Sequence, residues 1–228
     1  MKYRHFLFDL DDTLLDFGAS ERLSFATMLQ SFGGEPGPAL FADYQRENAQ
    51  LWTQFERGAI GKDALKVERF RRVFDLHALA IDPAAASARY LESLAETVVL
   101  VDGARALCEA LAQVGEVGII TNGIEYVQSK RIGSSGLGDW IAFVSTSEAC
   151  GHAKPDARFF EYAVRNFRGY DRSATVIVGD RLDADILGAN RFGIDSCWYN
   201  PLRLDNPGEA TPTYEVSHLD QIVARLTG

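Results

Sequence analysis

Short apolar runs without polar alternation recur along the chain, each closed by a turn residue or an acid. Phe6-Leu7-Phe8, Val117-Gly118-Ile119-Ile120, Ala142-Phe143-Val144 and Val176-Ile177-Val178 are four such runs. Continuous apolarity marks strands covered on both faces, as in a parallel sheet. Between the runs the spacing becomes helical. Ala104, Leu107, Cys108 and Leu111 share one face over 104–114, and Phe159, Phe160, Ala163, Val164 and Phe167 do so over 156–167. Strand alternating with helix predicts an α/β fold with a doubly wound, mostly parallel sheet.

Residues 16–98 break that rhythm. Phe41, Tyr44, Leu51, Trp52 and Phe55 gather near one helix face, and Val67, Phe70, Val73 and Phe74 near another, with no convincing strand between. A crossover between parallel strands needs only about a dozen residues. The stretch therefore reads as an all-helical cap domain inserted after the first strand. The expected division is a core domain of 1–15 and 99–228 and a cap of 16–98. A turn falls at 33–38 and a return hinge at Val101-Asp102-Gly103. Pro201, Pro207 and Pro212 predict a loop over 200–213 before a short closing segment.

Composition narrows the function. The 228 residues are 46% hydrophobic and 24% charged, which is globular, and the net charge is −9. So acidic a chain lacks the footprint of a nucleic-acid or anionic-membrane binder. No apolar run approaches the roughly 20 residues that span a bilayer. The first residues lead into only three apolar positions before Asp9, unlike a secretory signal. Three widely spaced cysteines, Cys108, Cys150 and Cys197, show no zinc or disulfide spacing. A reducing cytoplasm is the expected home.

Candidate chemistry collects where the predicted strands end, which is the functional edge of a parallel sheet. Asp9-Leu10-Asp11-Asp12-Thr13 follows the first run. Residues two apart point the same way in extended chain, so Asp9 and Asp11 can face one reacting centre. Mutual repulsion then raises the pKa of one, which suits an ionised nucleophile beside a proton carrier. Thr121-Asn122-Gly123 offers a hydroxyl and backbone N–H groups to a phosphate oxygen. Lys154, before Pro155-Asp156 at a helix start, offers a point charge. Gly179-Asp180 places a metal-ligating carboxylate after the last run, with Asp183 and Asp185 beyond. Singly, these pieces also read as a solvated acidic turn, a strand-ending turn, a surface lysine and acids drawn to a helix N-terminus; Asp183 reads as the last of these.

Their order along one sheet edge carries more weight than any one piece. Accelerating phosphate-monoester hydrolysis by up to ~10²¹-fold is beyond a single carboxylate, since one general acid or base supplies about 10²–10⁴.

These four elements, in this order around a helical insertion, resemble the haloacid-dehalogenase-like (HAD) hydrolase superfamily with a C1-type cap, and the resemblance covers the whole chain. It implies Asp9 as the nucleophile that forms an aspartyl-phosphate. Asp11 would be the acid/base, and Thr121 and the Asn122 amide the phosphoryl-binding groups. Lys154 would neutralise charge. Asp180 would bind Mg²⁺ with the Asp9 carboxylate and the Asp11 main-chain carbonyl, with Thr13 and Asp185 in support. Within the superfamily, Asp43-Tyr44-Gln45, Leu51-Trp52, Gly58-Ala59-Ile60, the run 118–123, Ala153-Lys154-Pro155 and Cys197-Trp198-Tyr199-Asn200 are similar to the bacterial house-cleaning pyrimidine 5′-nucleotidases. The implied partner is a small phosphate monoester, in particular a nucleotide such as UMP, dUMP or dTMP, on a monomer or homodimer. Arg181, next to Asp180, departs from the small polar residues common there.

A sugar-phosphate or phosphoglycolate phosphatase uses the same scaffold. A phospho-accepting receiver or a silent binding module fits less well with a long cap after the first strand. Trp52 and Phe55 read as cap core or as platforms for a base, and Asn48 as a helix residue able to read a base edge. Lys66, Arg69, Arg71 and Arg72 read as a solvated basic face, and His152 as a loop residue.

Overall fold

The computed structural model describes residues 2–228. Strand β1 (His5–Phe8) comes first. Four helices follow: α1 (Phe17–Ser31), α2 (Pro38–Glu56), α3 (Lys62–Leu76) and α4 (Pro83–Glu96). Then α5 (Ala104–Ala112), β2 (Glu116–Thr121), α6 (Glu125–Ser135), β3 (Phe143–Thr146), α7 (Ser147–Cys150), α8 (Ala157–Val164) and β4 (Thr175–Gly179) alternate. A π-helical turn (Leu182–Ile186), α9 (Leu187–Phe192), β5 (Asp195–Tyr199), β6 (Tyr214–Val216) and α10 (Asp220–Thr227) complete the chain. The chain forms two compact units, one of residues up to Phe17 with Val98–Gly228 and one of Gly18–Thr97. No helix among the described residues is long and apolar enough to cross a membrane.

The larger unit is an α/β fold. Its six strands run in the order β3-β2-β1-β4-β5-β6, and every neighbouring pair is parallel. This is a doubly wound order, with a switch point beside β1 where ligands bind outside the carboxyl ends of strands. The apolar runs follow from that architecture. Phe6 and Phe8 enter a core with Leu107, Leu111 and Ile222, whereas Leu7 enters the opposite layer with Phe159, Phe160 and Ala189. Side chains alternate across a strand, so a sheet covered on both faces needs apolar residues at consecutive positions. Register aligns Phe8 with Ile119 of β2 and Val178 of β4. The residues just after these three strands are therefore neighbours.

Two strands have weaker signatures. β3 lies over 143–146, one residue beyond the expected run, and its Val144 is exposed. β5 begins with polar residues: Asp195 accepts hydrogen bonds from Tyr3 (2.6 Å) and Thr213 (3.2 Å), so its start follows no apolar pattern. The segments flanking the insertion pair with each other. Asp16 donates to Val99 (2.8 Å), Val101 donates to Leu14 (3.0 Å), and Leu15 bridges Leu100.

The smaller unit packs Phe25, Tyr44, Phe70 and Tyr90 as an aromatic interior. Arg69 does not lie on the expected solvated face. It is buried, 4.6 Å from the Tyr90 ring and 5.0 Å from Phe70, and donates to Asn48 Oδ1 at 3.2 Å. Asn48 in turn donates to Glu21 Oε1 at 3.0 Å, so its amide serves a buried network inside the unit. Arg71 and Arg72 follow the expectation, pairing with Glu68 at the surface. Trp52 and Phe55 are half-buried and meet edge to face, with the Lys62 ammonium 5.0 Å from Phe55.

Candidate active site

Asp9 leaves the end of β1 with its N–H on the Val178 carbonyl (2.9 Å), which fixes it at the centre of the sheet edge. Its carboxylate accepts from the Lys154 ammonium. That ammonium also meets Asp185 Oδ1 (2.7 Å) and the Ile120 carbonyl (3.0 Å). Lys154 is placed by a two-way bond to Asn122: its N–H donates to Asn122 Oδ1 (2.8 Å), and Asn122 Nδ2 donates to its carbonyl (3.0 Å). The Asn122 side chain thus anchors the lysine loop. Asp156 then caps α8 by accepting from Arg158 N–H at 2.9 Å.

Asp180 follows β4. Its carboxylate accepts from Thr13 (3.4 Å), and its carbonyl accepts from Trp198 Nε1 (2.8 Å). Asp185 is buried, and its Oδ2 accepts the Arg181 N–H at 3.1 Å. Gly179 permits this fold-back, because a Cβ there would collide with the Asp185 carboxylate. The Arg181 guanidinium forks onto Asp183 (3.0 and 2.7 Å). A cavity of about 530 Å³ opens beside Asp180 within this unit, bounded by Trp198, Tyr199 and Leu202.

Asp11 bridges Leu15, and the chain turns between them with Asp12 at a positive φ of 58°. The Asp11 carboxylate meets α6, with Gln128 Nε2 at 2.6 Å and Arg131 Nη1 at 2.5 Å. Thr121 Oγ1 accepts from Gly123 N–H and Gln128 Nε2, both at 3.0 Å. Its own O–H is left to donate.

Oxygens of Asp9, Asp180 and Asp185 lie within 4.8 Å of one another. Three carboxylates thus face one ammonium. Burial, then the charges of Asp185 and Asp11 against the opposing pull of Lys154, pushes Asp9 up to about 7. Burial, then the charges of Asp9 and Asp185, pushes Asp180 up to about 9. Hard oxygen donors with surplus negative charge suit Mg²⁺. Two ligands on one such ion stand at most about 4.2 Å apart, a small contraction from the present spacing. The residues fit the ion.

The fold and this edge define a class. Residues 3–193 match the haloacid dehalogenase-like hydrolase family, and the chain belongs to it. Over 217 residues it is 37% identical to the pyrimidine 5′-nucleotidase PynA of Streptococcus pneumoniae, covering 95% of this chain and 92% of that one. It is 33% identical to the pyrimidine 5′-nucleotidase YjjG of Escherichia coli, covering 97% of each. The HAD-hydrolase YfnB of Bacillus subtilis is 34% identical, and its magnesium-bound crystal structure, described as revealing interdomain movement, superposes with a TM-score of 0.94 over 100% of both chains.

Four sequence expectations, Asp9, Lys154, Asp180 and Asp185, come together around one point. Thr121 joins through Gln128, and Thr13 through Asp180. Gln128, Arg131 and the Trp198 indole N–H went unread in the sequence as site residues. Gln128 and Arg131 had one available signal: polar side chains three apart, beginning one turn into α6.

Proposed function

We propose that this protein is a Mg²⁺-dependent phosphoric monoester hydrolase acting on nucleoside 5′-monophosphates of the pyrimidine type, through an aspartyl-phosphate on Asp9. The observation that carries the reading is Asp9 at the end of the central strand, held by buried Lys154 within reach of Asp180 and Asp185. Two relatives that match nearly the whole chain are pyrimidine 5′-nucleotidases, which supports the substrate class.

The Asp9 and Asp180 carboxylates and the Asp11 main-chain carbonyl would hold Mg²⁺, which when bound supplies positive charge to nucleophile and phosphoryl oxygens. Asp9 uses a carboxylate oxygen to attack phosphorus. The P–O bond to the nucleoside breaks, and Asp11 gives its proton to the departing 5′-oxygen. Asp11 then takes a proton from water, whose oxygen attacks the phosphoryl group. Inorganic phosphate leaves and the Asp9 carboxylate is restored. Covalent catalysis divides one difficult displacement into two. Thr121 donates its hydroxyl to a phosphoryl oxygen, and Lys154 offsets charge on Asp9 and the phosphate. In this reading residues 16–98 serve as the cap domain that selects the nucleoside.

The test is phosphate release measured with malachite green across nucleoside monophosphates, sugar phosphates and phosphoglycolate, with Mg²⁺ or EDTA. Preferred turnover of UMP, dUMP or dTMP that EDTA abolishes is the expected result. Preferred turnover of sugar phosphates would overturn the substrate class, and full activity in EDTA would overturn the metal requirement.

A further inference from the structure

Helix α6 sends two polar side chains inward, one turn apart. Gln128 and Arg131 are both buried, Arg131 completely. They hold the two oxygens of one carboxylate: Arg131 Nη1 donates to Asp11 Oδ1, and Gln128 Nε2 donates to Asp11 Oδ2. The pair is braced internally, since Arg131 Nη1 also donates to Gln128 Oε1 at 3.1 Å. Gln128 Nε2 spends its other proton on Thr121 Oγ1. Gly123 makes room, because a Cβ there would collide with the Gln128 amide. The Arg131 guanidinium lies 5.8 Å from the Phe17 ring.

Folding alone does not call for this arrangement. Arg131 Nε and Nη2 are buried without a hydrogen-bond partner. An apolar side chain of similar volume would pack there without the desolvation penalty of a guanidinium. The contact that sets this arginine apart from a packing residue is the one to Asp11. Each Asp11 oxygen keeps a second lone pair beside the clamp.

We propose that Gln128 and Arg131 are positioning residues for Asp11, fixing the orientation from which its carboxyl exchanges a proton with the leaving oxygen and tying it through Gln128 to Thr121. The inference rests on the hydrolase reading above. Proton exchange depends on a donor held within hydrogen-bond reach of the reacting atom. A carboxyl free to rotate would lose that reach, and the substrates most dependent on proton donation would suffer most.

Leaving groups separate positioning from general support. An alkyl ester such as UMP expels a poor leaving group and needs the proton; p-nitrophenyl phosphate expels a stabilised phenolate and does not. The value of kcat/KM reports that departure when phosphoryl transfer to Asp9 is the first irreversible step. For Arg131→Met the expected loss with UMP is about 30-fold or more, a part of the roughly 10²–10⁴ that one general acid supplies, against less than about threefold with p-nitrophenyl phosphate. Gln128→Leu shows the same pattern with a smaller ratio and stands in if Arg131→Met does not fold. Arg131→Lys recovers part of the UMP activity. In an Asp11→Asn background, followed by the burst of nitrophenolate and single-turnover UMP cleavage, Arg131→Met changes the ratio of the two no further. Equal losses on both esters, or none on either, would overturn the proposal. Wild-type protein inert towards both would instead sink the hydrolase reading.

Discussion

Asp185 holds the Lys154 ammonium at 2.7 Å, and both side chains are closed off from solvent. Burial alone would lower the lysine pKa; the charges of Asp185 and Asp9 outweigh it and raise it, so the ammonium persists. Lys154→Met leaves the carboxylates without their counter-charge. Breaking a buried pair from one side costs about 3–5 kcal/mol, and denaturant unfolding should show a loss of that order. Phosphatase activity should fall at least about 100-fold, as when an oriented electrostatic group is removed.

Asp9→Asn separates chemistry from folding. The amide has nearly the same shape and removes one of the crowded charges, so the melting temperature in EDTA should not drop. Turnover should fall by at least about 10³-fold, as for loss of a nucleophile. Steady-state assays beside thermal melts on one preparation read both, and an active Asp9→Asn would refute the covalent route.

Gly179→Ala probes the fold-back of Asp185. The added methyl meets the Asp185 carboxylate, and relief requires moving that acid away from Lys154. Overpacking of this kind costs about 1–3 kcal/mol. The prediction is a disproportionate loss of kcat for so small a change, with circular dichroism unaltered.

Metal should stabilise as well as activate. A ligand that binds only the folded state at 100 times its Kd adds about 2.7 kcal/mol. Differential scanning fluorimetry should show a higher Tm with Mg²⁺ than with EDTA, and Asp180→Asn should erase most of that difference. An unchanged Tm across a Mg²⁺ titration would count against a metal centre here.

The helical unit carries its own pH signature. Hydrogen bonds from Arg71, partly opposed by burial, and then from Arg72 lower the Glu68 carboxyl to about 2. A depressed acid contributes stability above its unfolded pKa and loses it as pH falls through the folded one. The window therefore runs from about 4.5 down to about 2. Arg71 is half exposed, so solvent screening limits the pair to a small contribution. Glu68→Gln should lower stability by that small amount at pH 7 and by almost nothing near pH 2, as read by urea melts.

Asp9, Thr121, Lys154 and Asp180 were legible because each stands at the end of an apolar run or before a helix, where local pattern and sheet topology agree. The partners of Asp11 were not. Parity along the strand end gives a side for its carboxylate but no partner, and Gln128 and Arg131 lie more than 100 residues on, in α6. Arg69 and Arg131 were hidden for a common reason: a charged residue on a helix reads as solvated unless its partners are known, and these partners, Asn48 and Asp11, lie on other elements. The strand β5 escaped notice because Asp195 and Ser196, which open it, carry no apolar signal.

The central strand has consequences for the order of assembly. β1 precedes both of its neighbours in the chain, and β2 and β4 lie beyond the helical insertion. On a ribosome the helical unit has all its residues before β1 has either partner. Parallel pairing across so long a separation is slow to form. Asp9 is thus synthesised well before the strands that seat it, and before the residues that complete its surroundings, Lys154 and Asp180.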